Sequence, residues 1–393
     1  MGLSVRTFYG TFIHISTFIK VFTSLRLTVV LLALAMVLVF AGTLGEAHLG
    51  LYKAQSEFFR SFLIYWHPEN TGWRIPVFPG GYSIGILLLL NLIAAHTARF
   101  KLSREKTGLW LIHAGLILLL AGQLFTDMFA VESRMHLRVG DTKNYSESDR
   151  IHELAVMNTT DKNPGDSITI LEGLLAKKND IRSAHLPFII RVKEFYANSL
   201  LATNGAPGFA PVNATTGFGD GIWWKQEPRE TAANRCDSPS ALIEIVSPQG
   251  PLGTWLVSDW FEQPQTFTCN DRAYKLQLRL KRFYQPFSLH LLAFTHDVYQ
   301  GTDIPKKFSS RVRLQRPDTG ENREVLIYMN NPLRYGGETF YQAGFDVDNQ
   351  GTVLQVVKNP GWFSPYLACG LVAMGMVAQF LSHLISFLKR RTT

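Results

Sequence analysis

Leu109-Trp-Leu-Ile-His-Ala-Gly-Leu-Ile-Leu-Leu-Leu-Ala-Gly-Gln-Leu-Phe125 holds no Asp, Glu, Lys or Arg. A run of about 20 apolar residues crosses a bilayer core as a helix, because a helix satisfies its own backbone polar groups. Three more runs read the same way: Leu27–Leu44, Tyr82–Ala95 and Pro365–Leu388. The second is short for a span, and Gly80, Gly81 and Gly85 weaken its start. Between the third and fourth runs the chain is turn-rich and strand-like. The expected fold class is an α+β membrane protein. Four transmembrane helices, three N-terminal and one C-terminal, carry a large β-rich exterior domain.

Charge orients these spans. Residues 1–26 carry Arg6, Lys20 and Arg26 with no acid. The loop between spans two and three has Arg99, Lys101, Arg104 and Lys106 against Glu105, and the tail ends Lys389-Arg-Arg391. These segments carry ten bases against one acid, more than the whole formal net charge of +8, so the rest of the chain is slightly acidic. Positive segments stay cytoplasmic, so both termini are expected inside and the large domain outside. The basic balance is a topology signal and gives no reason to invoke nucleic acid. The expected organisation is a cytoplasmic segment 1–26, three spans in 27–126 with an exterior loop 45–80, an exterior domain 127–363, a fourth span 364–388 and a basic tail 389–393.

Span one is read as an uncleaved anchor, since its run is long for a signal peptide and Ala41-Gly-Thr43 is a poor cleavage site. Phe8–Phe22 suits an interfacial helix or an extension of span one. Leu51–Trp66 has helical periodicity with Phe58, Phe59, Phe62, Tyr65 and Trp66, the aromatics of a membrane interface or of a lip over a ligand or partner helix.

The exterior region alternates in period two between Gly, Pro, Asn and Asp clusters. Strands are expected over Glu153–Met157, Ser167–Leu171, Pro187–Tyr196, Ala241–Val246, Thr254–Val257, Tyr274–Phe283, Leu289–Val298, Ser310–Leu314, Glu324–Met329, Glu338–Gln342 and Thr352–Val357. Arg311–Tyr328 is the clearest hairpin, with Pro317-Asp-Thr-Gly320 at its turn. An antiparallel sandwich or open barrel follows. Residues 198–238, with Trp223-Trp224, read as an inserted loop.

Three spans carry one histidine each, His96, His113 and His383, all toward the basic side. Polar residues inside a span are functional hypotheses by default, and neutral imidazole ligates heme iron well. The alternative is a hydrogen bond to headgroups or a carbonyl. His113 lies deepest, followed by Ala-Gly and then Leu-Ile-Leu-Leu-Leu. The exterior histidines, His290 and His296 included, show no metal-ligand spacing. Cys236 and Cys269 both fall in the exterior domain, where a disulfide could form, and Cys369 lies in span four. With no CxxCH the chain carries no covalent c-type heme site of its own.

Several stretches are similar to one family. Thr23-Ser-Leu-Arg-Leu-Thr-Val-Val-Leu-Leu32 opens span one. Leu90-Asn-Leu-Ile93, Glu105-Lys-Thr-Gly-Leu-Trp-Leu-Ile-His113 and Met135-His-Leu-Arg-Val-Gly140 follow in order. The strongest stretch runs from Met329-Asn-Asn-Pro-Leu-Arg-Tyr-Gly-Gly-Glu through Asp346, with Thr352–Val357 and Asn359-Pro-Gly-Trp362 after it. In this order and topology the chain resembles the ResB/CcsB family of system II cytochrome c biogenesis proteins. The resemblance implies a subunit that works with a CcsA/ResC-type membrane partner and with thiol-reducing proteins. Such a pair moves heme across the bacterial inner membrane and presents it to apocytochrome c on the periplasmic side. It implies a transient b-type heme shared with the partner, with His113 as axial ligand; His96 and His383 lie outside the family pattern. The chain would be non-catalytic alone, a subunit of a heme-transport and cytochrome c synthase complex. The alternatives are a b-heme electron-transfer subunit of a respiratory complex, using His113 with His96 or His383, and a heme-free membrane scaffold.

Overall fold

The computed structural model describes residues 20–66, 68, 73–99, 106–160, 167–232, 235–301 and 305–392. Most of Phe8–Phe22, the loop centre 100–105 and His67 lie outside these residues. The chain divides into two compact units. One comprises residues up to Ala130 with Thr231–Ala233 and Asn359–Thr393; the other comprises Val131–Glu230 and Asn234–Lys358.

Among the described residues, the first unit contains four helices long and apolar enough to cross a membrane: α1 (Leu25–Leu49), α2 (Gly81–Arg99), α3 (Thr107–Phe129) and α4 (Ser364–Thr392). Each runs past the apolar stretch that announced it. Glycine decides how α3 meets α4. Gly108, Gly115 and Gly122 recur every seventh residue along one buried stripe. A Cβ at Gly115 would stand 2.8 Å from the carbonyl oxygen of Ala368, and one at Gly108 would stand 2.7 Å from that of Gly375. Small residues are what let two helix backbones approach this closely where no water drives them together. Asn91 ties α2 to α1. Its amide donates to the carbonyl oxygens of Phe22 at 2.6 Å and Ser24 at 3.3 Å, and Thr28 donates to its Oδ1 at 2.6 Å.

The segment after α1 departs from the expected helix over Leu51–Trp66. One α-turn (Leu51–Ala54) passes into a π-turn (Gln55–Phe59), and β1 (Leu63–Trp66) then pairs antiparallel with β2 (Ile75–Pro79). The aromatic and β-branched run Leu-Ile-Tyr-Trp finds a cross-strand partner there, and pairing overrides helical spacing. Phe59 lies where a Cβ at Gly42 would be, so this segment seats directly on α1.

The second unit is β-rich, with two cores strung on two continuous strands. These are β4 (Thr142–Asn158) and β14 (Arg272–Val298). The two stretches expected as separate strands, Tyr274–Phe283 and Leu289–Val298, are one strand. Its register shifts at Leu280/Arg282 and again at Tyr284/Leu289. Before the shifts Tyr274, Leu276 and Leu278 face inward; after them Phe287, Leu289 and Leu291 do. A bulge moves the inward set from even to odd positions, so one strand serves both cores.

The first core packs the early part of β14 and the end of β4, with β5 (Ser167–Leu171) and β13 (Gln265–Cys269), against a four-stranded sheet. That sheet holds β6 (Asp180–Ile181), β7 (Ile189–Tyr196), β11 (Ser240–Ser247) and β12 (Gly250–Ser258) in the order β12-β11-β7-β6. The second core lies under the rest of the large sheet. Here β3 (Val131–Arg138), β15 (Pro305–Arg316), β16 (Glu321–Tyr328), β17 (Leu333–Tyr335), β18 (Glu338–Phe345) and β19 (Gly351–Lys358) curl around Leu137, Leu314 and Phe340. The β15–β16 hairpin turns at the expected Pro-Asp-Thr-Gly, where Gly320 has φ 70°. The architecture is therefore a sandwich continued into a curled sheet. Residues 198–238, expected as an irregular loop, instead contain a small sheet of β8 (Ser199–Ala202), β9 (Ala210–Pro211) and β10 (Trp223–Gln226). Trp224 is buried against Leu242 and Leu256 on the far face of β11 and β12.

Candidate functional site

The glycine stripe aims His113. At about 100° per residue, His113 sits about 160° around α3 from Gly115, so it faces away from α4. On α2, His96 lies about 140° around from Asn91, which is held by α1. Both imidazoles therefore point into the space between α2 and α3. Their ring centroids are 5.9 Å apart with planes at 87°. The Trp110 ring packs on His96 at 3.8 Å. His96 is buried and His113 half-buried, and the buried Trp110 Nε1 has no hydrogen-bond partner. Of the three histidines singled out from the sequence, the structure brings two together. His383 is exposed on α4 and pairs with Gln379 at 2.8 Å.

Sequence reading missed Trp110, and it offered His96 beside His113 only as one of two alternative pairs. The signal was present: the seven-residue spacing of Gly108, Gly115 and Gly122 defines which face of α3 is spent on packing, and hence which face remains for His113.

This pair is chemically suited to a planar iron complex. Neutral imidazoles are axial ligands for heme iron, and the unspent indole N–H supplies a donor beside them for a carboxylate or carbonyl of a bound group. On this donor set the residues fit a heme. Among the described residues no group of three or more His, Cys, Asp or Glu could hold a bare metal ion.

In the second unit His136, His290 and His296 have local partners. His136 contacts Asp346 at 2.9 Å, and His290 contacts Thr142 at 2.8 Å. His296 contacts Asn349 at 2.9 Å and packs on Phe345. A register shift between Leu291 and Ala293 separates His290 from His296. His152 is the exception: it is fully buried. Its Nδ1 is 3.4 Å from Glu172 and its Nε2 3.6 Å from Asp259. These are ion pairs that fall outside hydrogen-bond geometry. Burial pulls the His152 pKa down, but Asp259, Cys236 and Glu172 outweigh it and push it up to about 11. Cys236 and Cys269 are not bridged in the structure. Both thiols are free, Cys236 at the His152 cluster and Cys269 in the first core, where burial pushes its pKa up.

Residues 262–359, from just before β13 to the end of β19, match the family model described as the ResB-like family. Over these residues the chain is similar to the ResB-like family. It is also 34% identical over 119 residues to Protein NrfI of Wolinella succinogenes, a match covering 30% of this chain and 13% of that protein. The chain thus spans a small part of that relative's length. The family match covers Met329–Asp346, the stretch with the strongest resemblance in the sequence.

Proposed function

We propose that this chain is the membrane-embedded, heme-handling subunit of a cytochrome c assembly complex. In this reading α1–α4 span the bacterial inner membrane, both termini are cytoplasmic, and the β-rich unit is periplasmic. A CcsA/ResC-type partner and apocytochrome c complete the assembly. Support comes from the ResB-like match over 262–359 and the similarity to NrfI. The observation that carries the site is the convergence of His113, His96 and Trp110 on one face between α2 and α3.

His113 would hold the iron as an axial ligand. His96 and Trp110 would fix its ring orientation and exclude water. When bound, heme supplies the redox-active iron and the vinyl groups that become joined to the cytochrome thiols. This chain's own part is to bind and orient.

The 5.9 Å imidazole pair also favours a second reading, a b-heme held by His96 and His113 within this one chain, as in an electron-transfer subunit. The two readings separate on purified protein. Heme bound at full occupancy by the chain alone supports the second; heme bound only with the partner supports the first. In either case, His113→Gly is expected to lose the heme absorption band, and free imidazole to restore part of it. His383→Ala is the depth-matched control and is expected to keep the band. A normal band in His113→Gly would refute both.

A further inference from the structure

At the other end of α2 and α3 from the histidines lies a cavity of about 620 Å³. Its walls are apolar, with Leu89, Leu120 and Leu124 among them. Its rim is polar. Arg60 is paired with Asp127 at 3.0 Å, and Tyr82 donates to the same carboxylate at 2.5 Å. Thr43, whose hydroxyl donates to the Val39 carbonyl at 2.7 Å, also lines it, as do three more polar side chains, Glu46, Gln55 and Gln123. Among the described residues none of these three side chains has a hydrogen-bond partner. Gln55 opens the π-turn Gln55–Phe59, and π-turns are frequent at functional sites. The volume falls within the usual range for a small-molecule pocket, about 300–1,000 Å³.

The lining decides the class of ligand. Among the described residues, no histidine, cysteine or methionine lines the cavity, so none of them ligates heme iron there. Among the described lining residues the one cation, Arg60, is already neutralised by Asp127, and Glu46 adds a negative charge, so an anionic headgroup is disfavoured. What remains is an apolar lining with two free carboxamides and a carboxylate. That set recognises an uncharged head with carbonyl or hydroxyl groups on an apolar tail. We propose that this cavity binds an uncharged, ring-headed isoprenoid of the quinone or quinol class, entering from the bilayer between α2 and α3. The proposal goes beyond the heme reading and needs only that these helices lie in a membrane.

The test uses full-length protein in nanodiscs, with decyl-ubiquinone as probe and a photoreactive azido-quinone to mark the site. Saturable binding is expected, with cross-links on α2 or α3 residues lining the cavity. Gln55→Leu/Gln123→Leu keeps side-chain bulk and removes the uncommitted amides; it is expected to weaken binding at least fivefold. Leu120→Trp fills the slot and is expected to abolish binding. Gly370→Ala, in open space on α4, is expected to change nothing. If Leu120→Trp does not fold, the double variant decides alone. Non-saturable binding, an unchanged constant in the double variant, or tighter binding of hemin or phosphatidylglycerol at this site would overturn the proposal. His113→Gly should bind the quinone normally, so failure of the heme reading leaves this result standing.

Discussion

A methyl group at position 115 tests whether the glycine stripe sets the helix packing. A Cβ there would meet Val372 Cγ2 at 2.7 Å, the Ala368 carbonyl oxygen at 2.8 Å and the Val372 amide nitrogen at 3.1 Å. Two of these are backbone atoms that cannot swing aside. To restore ordinary contact, α3 must retreat by roughly half an ångström. Overpacking of this kind costs about 1–3 kcal/mol. Gly→Ala also raises helix propensity by about 1 kcal/mol, which would mask part of the loss. Gly370→Ala removes that ambiguity, because it carries the same propensity gain with no atom within 4 Å of the new methyl. The difference between the two variants isolates the clash. In SDS-induced unfolding from mild detergent, followed by circular dichroism, Gly115→Ala should be about 1–3 kcal/mol less stable than Gly370→Ala. Because α3 would be driven toward α2, it should also disturb any heme held at His113. Agreement of the two variants within about 0.5 kcal/mol would show that α3 and α4 do not meet along this stripe.

Other outcomes follow from the second unit and the topology. His152 has its folded-state pKa raised to about 11 from an ordinary 6.5, so its pairing stabilises fully below about pH 6.5 and is lost as pH rises toward 11. Urea midpoints of the β-rich unit should therefore fall across that window, and this dependence should flatten in His152→Gln; an equally steep fall in the variant would refute the assignment. Arg279 and Glu153 form a buried cross-strand pair at 3.3 Å. Arg279→Leu should cost about 3–5 kcal/mol by stranding a carboxylate, while Glu153→Leu/Arg279→Leu should recover most of it in the same urea assay. A reporter active only in the periplasm should work when fused after Asp127 or Trp362 and fail after Arg104 or at Thr393. Activity at Thr393 would overturn the four-span topology.

The sequence alone determined the number and type of the long helices, because apolar runs of this length have few other soluble or membrane solutions. It also determined the β character of the middle and most strand positions, since period-two patterning is local. It singled out His113, because a polar residue deep in an apolar run is conspicuous. Only the tertiary structure decided which helix faces meet. That choice rests on Gly108, Gly115 and Gly122 matching the backbone of α4, a property of two segments more than two hundred residues apart in sequence. From it follows the pairing of His96 with His113 and the exclusion of His383. The same holds for β14: two expected strands are one, because the bulges that join them respond to two cores at once. His152 looked ordinary in sequence, since its acidic partners come from separate elements. The cavity was equally invisible, because its lining comes from α1, the π-turn, α2 and α3.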